Sequence, residues 1–400
     1  MDGIEEVLTR GVEKIYPSKE ELEKVLRSGK KIKLYNGIDP TGPFLHLGHM
    51  VVLRKLRQFQ DLGHKVILLL GDFTGMIGDP SGKSKTRVPM TRKQLLSNAK
   101  TYKEQASKIL RFTGENPVEI KYNSEWLDKL GFAELAKLAS LMTYSQVIER
   151  DMFQKRIKEG KDIFLNEFLY PLLQGYDSVA MDVDLEIGGS DQTFNMLMGR
   201  TLIKKIKDKE KFVLTMELLT EPGKVKMGKT ERNLIALTEE PNKMFGGIMA
   251  WPDEMIIPGF NLLTDMPLGE IRKIEENLKS QKTNPMEFKK KLAFEIISIL
   301  HSTKEAKSAE EEFERVFQRR EVPSSRISQY KIKSGKVNII DLLVNSKLAP
   351  SGSEAKRLIE QGAVEIDGTP ITNYQLPITI KDGMIIKVGK RKFIKIRVNP

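Results

Sequence analysis

Two histidines and two lysines stand at spacings that could handle a triphosphate. The segment Asp39-Pro-Thr-Gly-Pro-Phe-Leu-His-Leu-Gly-His49 puts His46 and His49 three residues apart at the start of a helical stretch, on one face. Helix N-terminal amides attract phosphate, and imidazoles there can donate to its oxygens without a fixed full charge. Gly48 lets another backbone or a nucleotide come close. About 180 residues later, Lys226-Met-Gly-Lys-Thr230 follows Glu221-Pro-Gly-Lys. Two ammonium groups flanking a glycine could close on a triphosphate and stabilise charge on the leaving pyrophosphate. Taken singly each signal is weak, because a His-x-x-His pair is usually incidental and loop lysines are usually solvated.

The elements that must position these groups alternate between strand and helix. Strands are expected at Lys31 to Asn36, Lys65 to Leu70, Val118 to Tyr122, Leu185 to Ile187 and Lys211 to Met216, with helices from about His46 to Leu62 and near Trp126 to Leu138. Such alternation implies a parallel sheet covered on both faces, with ligands beyond the carboxyl ends of its strands. The chemistry is therefore expected in the loops after Tyr35, Leu70 and Ile187. From about Glu239 the pattern turns helical, with Leu292, Ile296, Ile299 and Leu300 on one stripe and Ala306, Ala309, Phe313 and Val316 on another. A basic stretch from Arg319 to Lys336 reads as a linker. Near the end, Ser351-x-x-Glu354 reads as a capping box, Gly362 as a helix stop, and Val364-Glu-Ile-Asp-Gly-Thr-Pro-Ile as strand, turn, strand.

Composition narrows the class. Four hundred residues imply two or three domains, and the absence of cysteine excludes disulfides, thiolate catalysis and Cys-based zinc sites. No apolar run approaches the length of a membrane helix, and Met1-Asp-Gly-Ile-Glu-Glu lacks the order of a signal peptide, so a cytoplasmic location is expected. The net charge is +12, and residues Lys331 to Pro400 hold 13 Lys/Arg against 6 Asp/Glu. That concentration points to a polyanion partner, with a solvated surface as the plain alternative. The stretch Gly78-Asp-Pro-Ser-Gly-Lys-Ser84 is not a phosphate-binding P-loop, which needs four residues between its glycines; here there are three.

The paired signatures, read as His46-Leu-Gly-His49 and Lys226-Met-Gly-Lys-Thr230, resemble the two motifs of class I aminoacyl-tRNA synthetases. Leu34-Tyr-Asn-Gly-Ile-Asp39, Gly78-Asp-Pro-Ser-Gly-Lys83, Tyr170-x-x-x-Gln174-x-x-Asp177 and Ile187-Gly-Gly-Ser-Asp-Gln192 narrow the resemblance to the bacterial tyrosyl branch. Glu186 lies where one bacterial group has glutamine, and Thr193-Phe-Asn where that group has Trp-Gly-Asn, which resembles the second bacterial subtype. The glycine in the lysine motif replaces the family's more familiar serine. The resemblance implies an α/β architecture: a Rossmann-like parallel-sheet catalytic domain over 1–235 with a dimerisation insertion near 112–168, an α-helical anticodon-binding domain over 236–320, a linker over 321–337, and a small α+β S-four-like RNA-binding domain over 338–400.

The resemblance also implies roles. Tyr35 and Asp177 would hold a substrate tyrosine hydroxyl; a phenol both donates and accepts, and this pair can satisfy both. Taken singly, Tyr35 would be an ordinary strand residue and Asp177 a helix-surface carboxylate. Asp79, Tyr170 and Gln174 would meet the α-ammonium, and Gln192 the carboxylate. ATP would lie against Gly37, Asp39, His46, Gly48, His49, Gly188, Gly189, Asp191 and Met227. Thr41, His46, His49, Lys83, Arg87, Lys226, Lys229 and Thr230 would act on the phosphates. No dedicated metal ligands are expected, with Mg2+ carried by ATP. Lys356, Arg357, Lys390, Arg391 and Lys392 are candidate tRNA contacts, and Lys289-Lys-Lys291 a further one. The family implication is a homodimer taking L-tyrosine, ATP and tRNA, with no membrane. The alternatives are a tryptophanyl synthetase, a small-molecule nucleotidyltransferase and an inactive synthetase-like RNA-binding protein. His64 reads as a turn residue and His301 as a partner for a helix C-terminus.

Overall fold

The computed structural model describes residues 2–81, 90–149, 151–220, 234–280, 283–318, 328–375, 377–389 and 392–399. The chain divides into two compact units, Met1–Lys307 and Ser308–Pro400.

The first unit is built on a six-stranded sheet: β1 (Val12–Tyr16), β2 (Lys33–Ile38), β3 (Lys65–Leu70), β4 (Glu119–Tyr122), β5 (Leu185–Gly189) and β6 (Phe212–Met216). The order is β1-β6-β5-β2-β3-β4, parallel throughout except for β1, which runs antiparallel to β6. β3 and β6 are apolar almost end to end because both faces of the sheet are covered. β2 and β5 are central neighbours and lead in opposite directions across the sheet, so the crevice between their carboxyl ends is the switch point where such sheets bind ligands. The edge strand β1 was not foreseen; Val12-Glu-Lys-Ile-Tyr16 is polar on the exposed side and short, as edge strands usually are.

The helix after β2 spans Leu47–Asp61 and buries Met50, Leu53, Leu56 and Phe59 along one stripe. The single helix expected from Trp126 to Leu138 is instead two, Ser124–Leu127 and Phe132–Ala139, separated around Gly131. A longer helix, Leu165–Met181, tolerates Pro171 in its second turn and ends on Asp182 in the left-handed conformation. The helices Pro241–Met249, Ile256–Leu263, Leu268–Lys279 and Pro285–Leu300 follow. Buried Arg10 ties them to the N-terminal helix by donating to the carbonyls of Asn261 at 2.9 Å and Thr264 at 2.6 Å.

The second unit has its own core of Leu342, Leu343, Ile359, Val364, Ile386 and Ile396. Its helix Gly352–Glu360 starts at Ser351, whose hydroxyl accepts from the Glu354 amide. The reciprocal half of the expected capping box is missing because the Glu354 carboxylate takes Arg357 at 2.7 Å. Asp367 and Gly368, both at positive φ, turn Val364–Ile366 back onto Thr369–Pro370. Residues 328–337, read from sequence as part of a linker, hold strands Ser328–Lys333 and Gly335–Val337. Tyr330 and Ile332 there pack on the core, an alternation masked by intervening lysines.

Candidate active site

The histidine turn is defined by its own hydrogen bonds. His46 is the N-cap of Leu47–Asp61, and its Nδ1 accepts from the Gly48 amide at 3.1 Å. Nδ1 of His49 accepts from the His46 amide at 3.2 Å. The two rings lie 3.9 Å apart, tilted by 52°. An Nδ1 that accepts carries no proton, so in each neutral ring the proton sits on Nε2. The turn thus uses one nitrogen of each histidine to cap the helix and keeps the proton on the other. Gly48 gives the His46 ring room: a Cβ there would lie 3.0 Å from it, closer than ordinary contact.

The chain on either side of the lysine motif is anchored at this point. Leu47 N donates to Ile235 O at 3.1 Å, Leu237 N donates to Leu45 O at 2.9 Å, and His46 bridges Ala236. On the other side, β6 ends at Met216, paired with Gly189 at the end of β5. Lys226, Met227, Lys229 and Thr230 lie outside the described residues, as do Lys83, Arg87, Lys390 and Arg391.

A second group sits where β2, β3 and β5 end. Asp39 accepts from Thr74 Oγ1 at 2.7 Å and from the Tyr170 hydroxyl at 2.9 Å. Thr41 is half-buried, its amide donating to the Asp39 carbonyl. Gly37 is exposed on the otherwise buried strand β2 and leaves its backbone open to a ligand. Asp79 accepts from the Ser81 amide at 2.9 Å and from Gln192 Nε2 at 2.8 Å. Gly188 and Gly189 close β5; a Cβ on Gly189 would meet Asp191 Oδ1 at 2.6 Å. Gln174 Nε2 donates to Glu186 at 3.2 Å, while its Oε1 is buried with no hydrogen-bond partner. A buried bare acceptor beside carboxylates is suited to a cationic ligand group.

Deeper in, Tyr35 is fully buried, with its hydroxyl 2.9 Å from Ser178 Oγ. Asp177 is buried on Leu165–Met181 and accepts from Trp126 Nε1 at 2.8 Å and Asn123 Nδ2 at 3.3 Å. Trp126 also packs on the cluster of Tyr35, Ile67 and Met181. Burial pushes the Asp177 carboxyl well above its ordinary range, against the pull of Trp126 and Asn123, and the charges of Glu186 and Asp39 add to the rise. Burial likewise raises the Tyr35 hydroxyl, reinforced by Glu186 and Asp177. Tyr35 and Asp177 thus share one desolvated region without a direct hydrogen bond between them: each has its own protein partners.

The reading of the sequence missed those partners. Asn36 donates to Ile187 O at 2.8 Å, joining β2 to β5. Asn195 donates to Gln192 at 3.0 Å and keeps a buried Oδ1 with no partner. Ser178, Glu186 and Lys211 form a buried network. A lysine at a strand start reads as a solvated end, and only tertiary packing makes Lys211 fully buried. Among the described residues, no group of three or more His, Cys, Asp or Glu could hold a metal ion.

The remaining candidates lie outside this group, and Lys290 and His64 among them are buried. Lys289, Lys290 and Lys291 each face an acid, Asp253, Glu287 and Glu270 respectively, and so form a compensated helix face. In the second unit, Lys356 and Arg357 are exposed, with Lys356 Nζ 5.7 Å above the Tyr374 ring, and Lys392 donates to Leu348 O at 3.1 Å. His64 is buried before β3 with its Nδ1 accepting from Ile32 N, and burial drives its pKa down to about 4. His301 is the C-cap of Pro285–Leu300; burial first, then Lys108, lowers its pKa, which weakens a dipole role.

Residues 27–318 match the family model described as tRNA synthetases class I (W and Y), and residues 312–396 match that of the tyrosine–tRNA ligase SYY-like C-terminal domain. A tyrosine–tRNA ligase of Thermotoga maritima is 46% identical over 98% of this chain and 96% of its own length. One from Moorella thermoacetica is 44% identical over 98% and 94%. Among solved structures, a C-terminally truncated mitochondrial tyrosyl-tRNA synthetase of Aspergillus nidulans shares the fold, with a TM-score of 0.66 over 79% of this chain and 94% of that one at 23% identity. The Archaeoglobus fulgidus tyrosyl-tRNA synthetase complexed with L-tyrosine gives a TM-score of 0.60 at 20% identity, over 77% and 100%. A family model over most of the length, and relatives this similar from end to end, establish that the chain belongs to the tyrosine–tRNA ligase family of class I tRNA synthetases.

Proposed function

We infer that the protein activates L-tyrosine with ATP to tyrosyl-adenylate and pyrophosphate, then transfers the tyrosyl group to the 3′ end of its tRNA. The observation that carries this reading is the link between the chain after β2 and the helix Leu165–Met181: Asp39, which leads into the histidine turn, accepts from Tyr170 of the helix that also carries Gln174 and buried Asp177, beside buried Tyr35 of β2.

The chemistry needs no general base for activation. The tyrosine carboxylate is ionised at neutral pH and attacks the α-phosphate in line, so catalysis is positioning plus charge stabilisation. His46 and His49 donate through Nε2 to phosphate oxygens as charge moves to the pyrophosphate. Lys83, Arg87, Lys226, Lys229 and Thr230 supply further cations and donors, with Thr41 beside them. Asp39, Gly37, Gly48, Gly188, Gly189, Asp191 and Met227 form the nucleotide bed. Bound Mg2+ would neutralise phosphate charge, held mostly by phosphate and water. Asp79, Tyr170 and Gln174 take the substrate ammonium and Gln192 its carboxylate. The hydrogen bonds Gln192–Asp79 and Tyr170–Asp39 hold these groups in place before the substrate enters. A tryptophan substrate fits less well, since an indole donates but does not accept.

Lys356, Arg357, Lys390, Arg391 and Lys392 would meet tRNA phosphates. A homodimer is supported by apolar side chains left open on 112–168, among them Phe132 at 87% and Leu165 at 83% exposure. No helix of the described residues is long and apolar enough to cross a membrane, and a cytoplasmic location fits the function. The test is exchange of labelled pyrophosphate into ATP: it should require tyrosine and not be supported by tryptophan. Exchange without any amino acid, or with tryptophan, would overturn the reading.

A further inference from the structure

Beneath the tyrosine slot lies a buried ion pair that none of the roles above uses. Lys211 is fully buried and Glu186 nearly so. All three ammonium protons have acceptors: Glu186 Oε2, Ser178 Oγ at 2.7 Å and Met196 O at 3.2 Å. Glu186 in turn reaches both ends of the slot. Its Oε1 accepts from Gln174, and its Oε2 lies 3.4 Å from Ser178, the hydroxyl that faces Tyr35. The Lys211 ammonium also lies 5.7 Å from the Tyr35 ring centre.

A buried ion pair is a poor stabilising device, because desolvation consumes most of the Coulomb gain and apolar replacements are often neutral. What this pair can do instead is orient its neighbours. A hydroxyl that accepts from an ammonium keeps its own proton for another partner. For Ser178 the nearer partner is Tyr35 rather than Glu186. Ser178 donating to Tyr35 turns the Tyr35 proton away from Ser178, and Lys211, by holding Glu186 Oε2, competes with Tyr35 for that carboxylate, the other acceptor beside the hydroxyl. At the other end, Glu186 holds the Gln174 N–H, which leaves the bare Oε1 as an acceptor.

We propose that Lys211, acting through Glu186 and Ser178, is a positioning residue for amino-acid selection: it makes Tyr35 a donor to the substrate hydroxyl and Gln174 an acceptor for the substrate ammonium. This rests on the proposed tyrosine activation. The predicted consequence is selectivity, since a phenylalanine side chain cannot accept the oriented Tyr35 proton.

The test is amino-acid-dependent pyrophosphate exchange with the full chain. Lys211→Met should raise KM for tyrosine about tenfold and narrow the preference for tyrosine over phenylalanine, with KM for ATP unchanged. Ser178→Ala, which leaves the ion pair in place, should reproduce the narrowed preference. The neutral pair Glu186→Gln with Lys211→Met should recover thermal stability lost by Lys211→Met but not the preference; a merely structural ion pair would recover both. Should Lys211→Met not fold, Ser178→Ala and the double variant decide. Tyrosine KM and preference within about twofold of wild type in both would overturn the proposal. Wild-type protein with no tyrosine-dependent exchange would instead overturn the functional reading beneath it.

Discussion

Trp126 donates its indole N–H to the Asp177 carboxylate at 2.8 Å, and the same ring packs on the Tyr35 cluster. One side chain from the segment after β4 thereby opposes the effect of burial on the ionisation of Asp177 and fixes the position of the acid expected to read a substrate phenol. Trp126→Phe keeps most of the packing but removes the donor, which pulls the Asp177 carboxyl down. Tyrosine affinity should fall about tenfold while ATP affinity holds. Equilibrium binding of each ligand checks it; equal losses for both would show a collapsed site instead.

Asp177 also makes a pH prediction. Its folded pKa lies well above the ordinary carboxylate range because it is buried. The folded chain therefore holds this proton more tightly than the unfolded chain. The stability it contributes is full below the ordinary carboxylate range and is lost as pH rises through the raised value. Asp177→Asn removes that titration. Its melting temperature should drop less than wild type's between mildly acidic and neutral pH, and tyrosine binding should vanish with ATP binding nearly intact. Parallel melting curves for the two proteins would reject the assignment.

Lys55 gives the opposite sign. It is buried, donates to Val7 O at 2.8 Å, and burial with Arg10 nearby lowers its pKa to about 7. The unfolded chain then binds the extra proton between about pH 7 and the ordinary lysine range, so stability from this group rises with pH across that window. Lys55→Met should raise stability at neutral pH and below by on the order of 2 kcal/mol and flatten the rise. Denaturant unfolding at two pH values measures it. No gain at the lower pH would mean that the amine is better solvated than its burial indicates.

His46→Asn separates capping from chemistry. Asparagine is a good N-cap, so stability should change by less than about 1 kcal/mol. The Nε2 donor is lost, and adenylate formation should slow about 10²-fold or more with little change in tyrosine affinity. Single-turnover adenylate formation resolves the two. An unchanged rate would remove His46 from the phosphate chemistry.

The sheet was legible in the sequence because its central strands are apolar runs, and Lys65–Leu70 was located to the residue. The histidine turn was legible because glycine and histidine recur at helix-start spacing. The second layer of the slot was not. Ser178 follows Asp177 on a helix, Trp126 sits in a short helical turn, and Lys211 immediately precedes β6, positions where polar or amphipathic residues are ordinarily solvated. Their roles depend on segments up to 151 residues apart meeting, as Asn36 meets Ile187, and no local period encodes that. The strands at 328–337 were hidden for a related reason: their exposed faces carry lysines, which outweigh the apolar alternation.

The second unit permits a test that separates the two chemical steps. Its core of leucine, isoleucine and valine is complete within Ser308–Pro400, and the described site residues of the tyrosine slot and histidine turn all belong to Met1–Lys307. Adenylate formation uses only small molecules, so removing the second unit should leave tyrosine-dependent exchange near wild type. Transfer to tRNA loses the exposed cations Lys356 and Arg357 and should weaken, chiefly through KM for tRNA. Because phosphate contacts release counterions, the full chain's tRNA affinity should fall steeply with salt, and the shortened chain's less so. Aminoacylation at two salt concentrations, beside exchange on the same preparations, reads both effects. Equal loss of exchange and transfer would show that the first unit needs the second to fold, and an unchanged salt slope would remove the basic tail from tRNA binding.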